Sequence, residues 1–267
     1  MSRNPDLKTG YSYHEIFGWH DTGTNAGFFP SDPALGLQPF QNYENAETKR
    51  RIHELIVVSK LIDELKRINV REATTEELLL VHPQSYLTQL KKTSEQLLGG
   101  DAGDGETPFA KGGYEIAAMA VGSVIEMAQS IMKGEIDNGY ALVRPPGHHA
   151  VKSGGMGYCL FSNLGIALSV IKRENPGIKI AVVDWDVHHG NGTQDVFYDT
   201  NSTTPSISGT TTIIESTTPA NIITKHISGV EYYTTGSEFE ITTTGIDELN
   251  RNTQGWNSTS NKNFTIT

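Results

Sequence analysis

The chain has 267 residues with a formal net charge of −10, and 19% of its side chains are charged. Its single cysteine, Cys159, excludes a fold held by disulfides, and the acidic balance argues against binding to nucleic-acid phosphates. The sequence contains no run of about 18 apolar residues and no apolar secretory segment near residue 1. We therefore expect a cytoplasmic protein with neither a nucleic-acid partner nor a membrane partner.

Helical patterns dominate the first half of the chain. Residues 1–40, rich in aromatic side chains, Gly and Pro, predict a long loop with one short strand or turn. Apolar spacing then predicts helices over 45–68 and 84–98. Between them, Thr74 and Glu77 have the spacing of a capping box that opens a short helix. The segment 114–132 is apolar on nearly every face, which is typical of a buried helix.

Two strands are predicted further along, each followed by polar residues. The apolar runs 140–143 and 179–183 predict strands, and 159–173 predicts the helix between them. This order implies a parallel pair with a right-handed crossover, and ligands bind beyond the carboxyl ends of such strands. We therefore expect one crevice to receive the residues that follow both strands, namely His148, His149, Asp184, Asp186, His188 and His189.

The spacing of Asp184, Asp186 and His188 suggests a metal site. Alternate residues of an extended segment point the same way, and a carboxylate with a neutral imidazole can ligate one zinc ion. Catalytic zinc sites need three protein ligands, so a third must come from elsewhere. The alternative is a strand end with a capping aspartate and solvated histidines.

His148 and His149 follow Arg144 in a loop rich in Gly and Pro. Histidine suits general acid–base chemistry near neutral pH, and a carboxylate or amide on the far ring nitrogen would fix its tautomer. Asp184 and Asn191 are the nearest candidates for that task. The alternative is a pair of surface histidines or a weak metal-binding tract.

Three segments together resemble a known family: RPPGHHA at 144–150, GMGYCLFSN at 155–163 and VVDWDVHHGNGTQDVFY at 182–198. They are similar to the zinc-dependent histone deacetylases, most of all the class II branch and the bacterial histone deacetylase-like amidohydrolases. The resemblance covers roughly 8–199. It implies an α/β, arginase-like three-layer fold with a mainly parallel sheet, and hydrolysis of N-acetyl amides on acetylated lysine proteins or peptides, or on acetylpolyamines.

The resemblance also implies roles for individual residues. Asp186 and His188 correspond to zinc ligands, and the segment around Asp184 and Asp186 is similar to the family's structural K⁺ site. His148 and His149 correspond to the tandem histidines beside the zinc-bound water, with Asp184 and Asn191 as their respective partners. Which histidine acts as base and which as acid is left open.

Other positions match the walls of the family's substrate tunnel. Gly157 and Tyr158 correspond to a wall of the acyl-lysine tunnel. Asp101 or Asp104 corresponds to a rim residue that holds the substrate backbone, and His20 to a rim loop of the bacterial members. Cys159 fits a position beside the tunnel, where a small buried residue is expected rather than a nucleophile.

The family pattern stops near residue 199. Of the last 67 residues, 32 are Ser, Thr or Asn, and no Gly-Phe-Asp or Gly-Gly-Tyr follows His188. In the family these two motifs supply the third zinc ligand and the oxyanion tyrosine; Asp247, Tyr232 and Tyr233 are weak substitutes. The sequence thus predicts 1–199 as the N-terminal part of a deacetylase domain, incomplete at its C-terminal end, and 200–267 as a separate tail.

Three explanations of this tail are open: a frameshift or mis-joined gene, a truncated protein with a Ser/Thr-rich extension, and a small β appendage. The expected function is zinc-dependent deacetylation, impaired in this form. The alternative is a non-catalytic remnant that binds metal or acyl-lysine. The oligomeric state is not predicted.

Overall fold

The computed structural model describes residues 8–24, 34, 41–178, 180–184 and 186–198, and the backbone of three short strands in the tail. The described residues form two compact units. One comprises those within Met1–Ile178 and Asn191–Asp199, and the other those within Lys179–Gly190 and Thr200–Thr267. Residues 199 and 200, where a domain boundary is predicted, lie outside the described ranges, as do Tyr232 and Asp247, so those predictions stay open.

Helices and short strands alternate along the chain. The helices are α1 (Glu47–Val58), α2 (Thr75–Leu78), α3 (Gln84–Ser94), α4 (Gly113–Met132), α5 (Asn163–Glu174) and α6 (Asn191–Tyr198). The strands are β1 (Thr9–Ser12), β2 (Lys66–Arg67), β3 (Gly100–Asp101), β4 (Pro108–Phe109), β5 (Asn138–Ala141), β6 (Ile180–Asp184), β7 (Ile222–His226), β8 (Tyr233–Thr235) and β9 (Glu238–Glu240).

Parallel pairing dominates the longer strands, which confirms the predicted α/β class. In the first unit, β1 lies between β2 and β5 and is parallel to both. In the second unit, β6 pairs with β7 in parallel over five residues, while β8 and β9 form an antiparallel pair. The predicted direct pairing of the strands at 140–143 and 179–183 is not among the ladders of the described residues.

Several predicted helices form with shorter bounds. The capping box is confirmed, because Thr74 accepts the Glu77 N–H and the Glu77 carboxylate accepts the Thr74 N–H. The helix expected over 45–68 ends at Val58, since Lys60 takes a left-handed conformation with φ 62°. A 3₁₀ turn, Leu61–Glu64, and strand β2 occupy the remainder, so apolar spacing alone overestimated the length of α1.

Helix α4 is the centre of the first unit, as its apolar sequence predicted. By length and composition it could cross a membrane, but 56% of its apolar window is buried in the protein, and a core helix meets the same test. One side packs on a cluster with α3 and α5, and the other on the parallel sheet. The side chains of α4 in these two clusters include Ala117, Ala118, Val121 and Ile125 on the first side and Ile116 and Ala120 on the second.

Arg144, directly after β5 and Leu142–Val143, carries a buried charge that joins distant segments. Its Nε lies 2.9 Å from both carboxylate oxygens of Glu44, and the two side chains are only 1% and 10% exposed. Its Nη1 donates to the carbonyls of Phe17 and His20. Moving the N-terminal loop away would leave the buried Arg144 charge without its partners, which is costly. The ion pair and its neighbouring hydrogen bonds therefore hold this loop against the end of β5.

Two buried histidines are held in the neutral form. His20 is 2% exposed, and neither ring nitrogen has a hydrogen-bond partner within the described residues. Burial and the nearby Arg144 guanidinium lower the pKa of His20 to about 3. His82 donates from Nδ1 to the Lys152 carbonyl and accepts the Ser162 N–H at Nε2, and burial lowers its pKa to about 4.

These buried imidazoles predict a loss of stability in acid. Since both pKa values lie below the unfolded value of about 6.5, the unfolded chain binds more protons, and stability falls as the pH drops below about 6.5. The free energy of unfolding should fall between pH 7.5 and pH 5. In His20→Leu this fall should be smaller by about 2 kcal/mol, because the titrating ring is absent. Urea unfolding of the parent chain and the variant at both pH values measures this difference. The exposed His14→Asn is the control, and an unchanged pH slope in His20→Leu would contradict the assignment.

A glycine in α4 predicts a second effect on stability. A Cβ at Gly122 would lie 2.1 Å from the Arg71 carbonyl oxygen, whereas one at Gly18 would meet nothing nearer than the Ala46 Cβ at 3.8 Å. Gly122→Ala therefore forces α4 away from its neighbour and should lower the free energy of unfolding by about 1–3 kcal/mol. Gly18→Ala should change it little, and equal effects of the two substitutions on urea unfolding would argue against this packing constraint.

Candidate active site

The loop that carries the tandem histidines is attached to the start of α6. The His148 carbonyl accepts the N–H groups of Gly192 at 2.9 Å and Thr193 at 3.1 Å, which are otherwise unsatisfied in the first turn of a helix. Asp195 of α6 accepts the Lys152 N–H at 2.8 Å. Helix α6 thus fixes the backbone on both sides of His149.

Asn191, the first residue of α6, orients the ring of His149. The His149 Nδ1 lies 2.6 Å from the Asn191 Oδ1, and since an amide oxygen only accepts, Nδ1 carries the proton. The Asn191 amide donates to the His149 carbonyl and the Met156 sulfur, which agrees with this amide orientation. The His148 and His149 rings lie 4.0 Å apart between centroids. His148 and its predicted partner Asp184 belong to different units, so that pairing stays a prediction.

The predicted tunnel wall, Gly157 and Tyr158, is a turn of two left-handed residues with φ 54° and 67°. A Cβ at Gly157 would lie 2.4 Å from the Cδ2 of His149, so only glycine allows this contact. Burial raises the pKa of the Tyr158 hydroxyl, and nearby carboxylates led by Glu106 add to the effect. The wall and the histidine ring are therefore in direct contact.

The structure gives the predicted rim residues specific contacts. Asp101 accepts the N–H groups of Gly103, Gly105 and Thr107 at 2.7–2.8 Å, which folds its own loop. Asp104 accepts the Gly157 N–H at 2.9 Å. The ring of His20 is buried, so in this structure it offers no surface to a substrate and packs near Arg144 instead.

The predicted metal ligands follow β6 in the second unit. Each aspartate accepts the N–H two residues further on: Asp184 from Asp186 at 3.1 Å and Asp186 from His188 at 2.8 Å. The His188 Nδ1 and the Asp186 Oδ1 are 2.9 Å apart on exposed side chains, so the two predicted ligands lie next to each other. In the described part of the chain, no group of three His, Cys, Asp or Glu could hold a metal ion, and the third ligand stays unassigned.

Three residues near the site were given no role from the sequence. Arg144 binds Glu44, 100 positions away, and His82 binds Ser162, 80 positions away. Thr107 binds Tyr158, which is 51 positions further along the chain. The available signals were weak: an arginine before two prolines, and a threonine closing an Asp- and Gly-rich loop. Contacts over such separations leave no periodic pattern in the sequence.

Comparison with known proteins identifies the family. Residues 42–208 match the histone deacetylase domain. The histone deacetylase-like amidohydrolase of Pseudomonas aeruginosa is 38% identical over 197 residues, which cover 72% of this chain and 50% of that protein. The polyamine deacetylase HDAC10 of Danio rerio is 38% identical over 167 residues, covering 61% of this chain and 25% of that protein. The chain thus spans half or less of these relatives.

A solved structure shows the same fold. The crystal structure of the HDA15 HD domain matches with a TM-score of 0.63 and 30% sequence identity, and the match covers 73% of this chain and 52% of that chain. The similarity extends from the local motifs to the arrangement of strands and helices. The chain therefore belongs to the histone deacetylase family and has its α/β, arginase/deacetylase-like fold.

Proposed function

We propose that this chain is a zinc-dependent deacetylase that hydrolyses N-acetyl amides of lysine side chains or of polyamines. The hydrogen bond between His149 and Asn191 carries the proposal, because it orients an acid–base group that such a hydrolysis needs. Membership of the family and similarity to a bacterial amidohydrolase and a polyamine deacetylase support the substrate class. Its location in the cytoplasm stays a prediction from the sequence.

Asp186 and His188 are the residues that would hold the zinc ion, with a carboxylate oxygen and a ring nitrogen as donors. A bound zinc would polarise the acetyl carbonyl and lower the pKa of a coordinated water. Asp184 with Asp186 would contribute to a structural K⁺ site. A third zinc ligand and an oxyanion donor are not assigned to any residue, and we propose that turnover is low for this reason.

His149 would exchange the proton at Nε2. Since Nδ1–H donates to the Asn191 oxygen, the lone pair of the neutral ring lies on Nε2. Asn191 fixes this tautomer with a neutral group. His148 would be the second acid–base group, and the assignment of base and acid to the two rings stays open.

The acyl chain would lie along the wall formed by Gly157 and Tyr158. A substrate there would come next to the His149 ring, which Gly157 contacts directly. Asp101 would contribute by folding the rim loop, and Asp104 by accepting the Gly157 N–H of the wall. A second candidate function is non-catalytic binding of metal or acyl-lysine along the same wall. It is favoured because only Asp186 and His188 are proposed as ligands, and the described residues hold no group of three that could bind a metal ion.

The first prediction of this proposal concerns zinc affinity. Asp186→Asn replaces a charged carboxylate with a weaker amide oxygen and His188→Ala removes a ring nitrogen, so zinc binding to the full chain should weaken at least about tenfold in each. Competition with a chromophoric chelator measures the affinity without any need for turnover. Asp63→Asn, at an exposed position in the first unit, should leave the affinity unchanged, and parent-like affinity in both test variants would exclude this pair as ligands.

The second prediction concerns turnover. With zinc present, the chain should hydrolyse a fluorogenic acetyl-lysine peptide in a hydroxamate-sensitive reaction, and His149→Ala should lower kcat/KM by about 10²–10⁴-fold because it removes the acid–base group. His14→Asn is the control. Zinc-dependent hydroxamate binding without turnover would support the non-catalytic function, and absence of both would reject both functions.

A further inference from the structure

The loop 101–107 contacts the tunnel wall through two hydrogen bonds to successive backbone groups. The Asp104 Oδ2 accepts the Gly157 N–H at 2.9 Å, and the Thr107 hydroxyl oxygen accepts the Tyr158 N–H at 3.0 Å. The Thr107 hydroxyl in turn donates to the Asp104 Oδ2 at 3.1 Å. The two side chains thus form one connected clamp on the turn.

This clamp holds a turn that is not intrinsically favourable. A residue other than glycine in the left-handed region costs about 1–3 kcal/mol and persists only where its surroundings fix it. Tyr158 is such a residue, with φ 67°. Thr107 is 0% exposed, so water does not replace its hydroxyl as the acceptor for the Tyr158 N–H.

The position of the turn affects the orientation of the His149 ring. Gly157 lies against one side of the imidazole, close enough that a Cβ would come within 2.4 Å of the ring. Asn191 holds the Nδ1 of the same ring. A shift of the turn would therefore remove one of the two constraints that orient the ring.

We infer that Asp104 and Thr107 are positioning residues of the deacetylase site, which hold the Gly157–Tyr158 turn and, through it, the His149 ring. For its catalytic consequence this inference rests on the proposed function. The family resemblance implies that Asp101 or Asp104 holds a substrate backbone, and the hydrogen bond from Gly157 to Asp104 is the basis for this positioning role. Thr107 received no role from the sequence.

Cys159 can report whether this turn is closed or open. Cys159 is the only cysteine and is 0% exposed. Its sulfur accepts the His149 N–H and donates to the Gly157 carbonyl, so the thiol lies beneath the clamped turn. Opening of the turn would expose the thiol, and its reaction with dithionitrobenzoate measures that opening in the full chain whether or not the chain turns over substrate.

Thr107→Val keeps the shape of the side chain and removes the hydroxyl. We expect the reaction rate of Cys159 to rise about tenfold, since the Tyr158 N–H loses its acceptor, and to depend little on low urea concentrations, as local opening does. Thr107→Ser restores the hydroxyl and should return the rate to near the parent value. Thr88→Val, on the exposed side of α3, is the matched control and should leave the rate unchanged.

Asp104→Ala is a second variant at a partly exposed position, and it should raise the Cys159 rate in the same way if Thr107→Val does not fold. Parent-like rates in the folded variants would overturn the inference. It would also be overturned by a faster reaction that rises with urea as steeply as global unfolding, because the side chains would then stabilise the fold as a whole.

The catalytic consequence has a separate readout. If the chain turns over substrate, kcat should fall in Thr107→Val and recover in Thr107→Ser, while the zinc affinity stays at the parent value. Failure of the proposed function would appear as absent turnover in the parent chain with the Cys159 rates still changed. Failure of the positioning inference would appear as unchanged Cys159 rates and unchanged kcat in the variants.

Discussion

The buried ion pair between Arg144 and Glu44 is the constraint on which the described site depends. Removing two charges from water is costly, and the cost is recovered only when every donor finds an acceptor. Arg144 meets this demand with the Glu44 carboxylate and the carbonyls of Phe17 and His20. The pair therefore fixes the N-terminal loop to the end of β5, immediately before the loop of His148 and His149.

A consequence of this arrangement is that a histidine next to the pair stays neutral. His20 is buried near the Arg144 guanidinium, and a second positive charge there would lose its hydration and be repelled, which is why its pKa is lowered to about 3. His82 is neutral chiefly because burial lowers its pKa to about 4, and the neutral ring donates to the Lys152 carbonyl and accepts the Ser162 N–H. The interior around the site thus depends on uncharged imidazoles at neutral pH.

Sequence patterns predicted correctly those features that depend on residues a few positions apart. The apolar faces of α4 and the Thr74–Glu77 capping box follow from residues a few positions apart, and both are found. The overestimated α1 shows the limit, because apolar spacing does not reveal the left-handed conformation of Lys60 that ends this region. Most contacts that build the site join residues far apart in the sequence, such as His149 with Asn191 across 42 positions and Arg144 with Glu44 across 100. Of these, only the His149–Asn191 pair was expected, through the resemblance of its motifs to a family.

His149 shows how these separate constraints meet at one ring. Helix α6 supplies Asn191 and caps the preceding carbonyl, while the turn at Gly157 packs on the ring and Cys159 accepts the His149 N–H. None of these partners is charged, so they fix the direction of the ring without adding a local charge. The uncharged partners of His149 thus fix the ring through geometry alone, and the first unit supplies all of them.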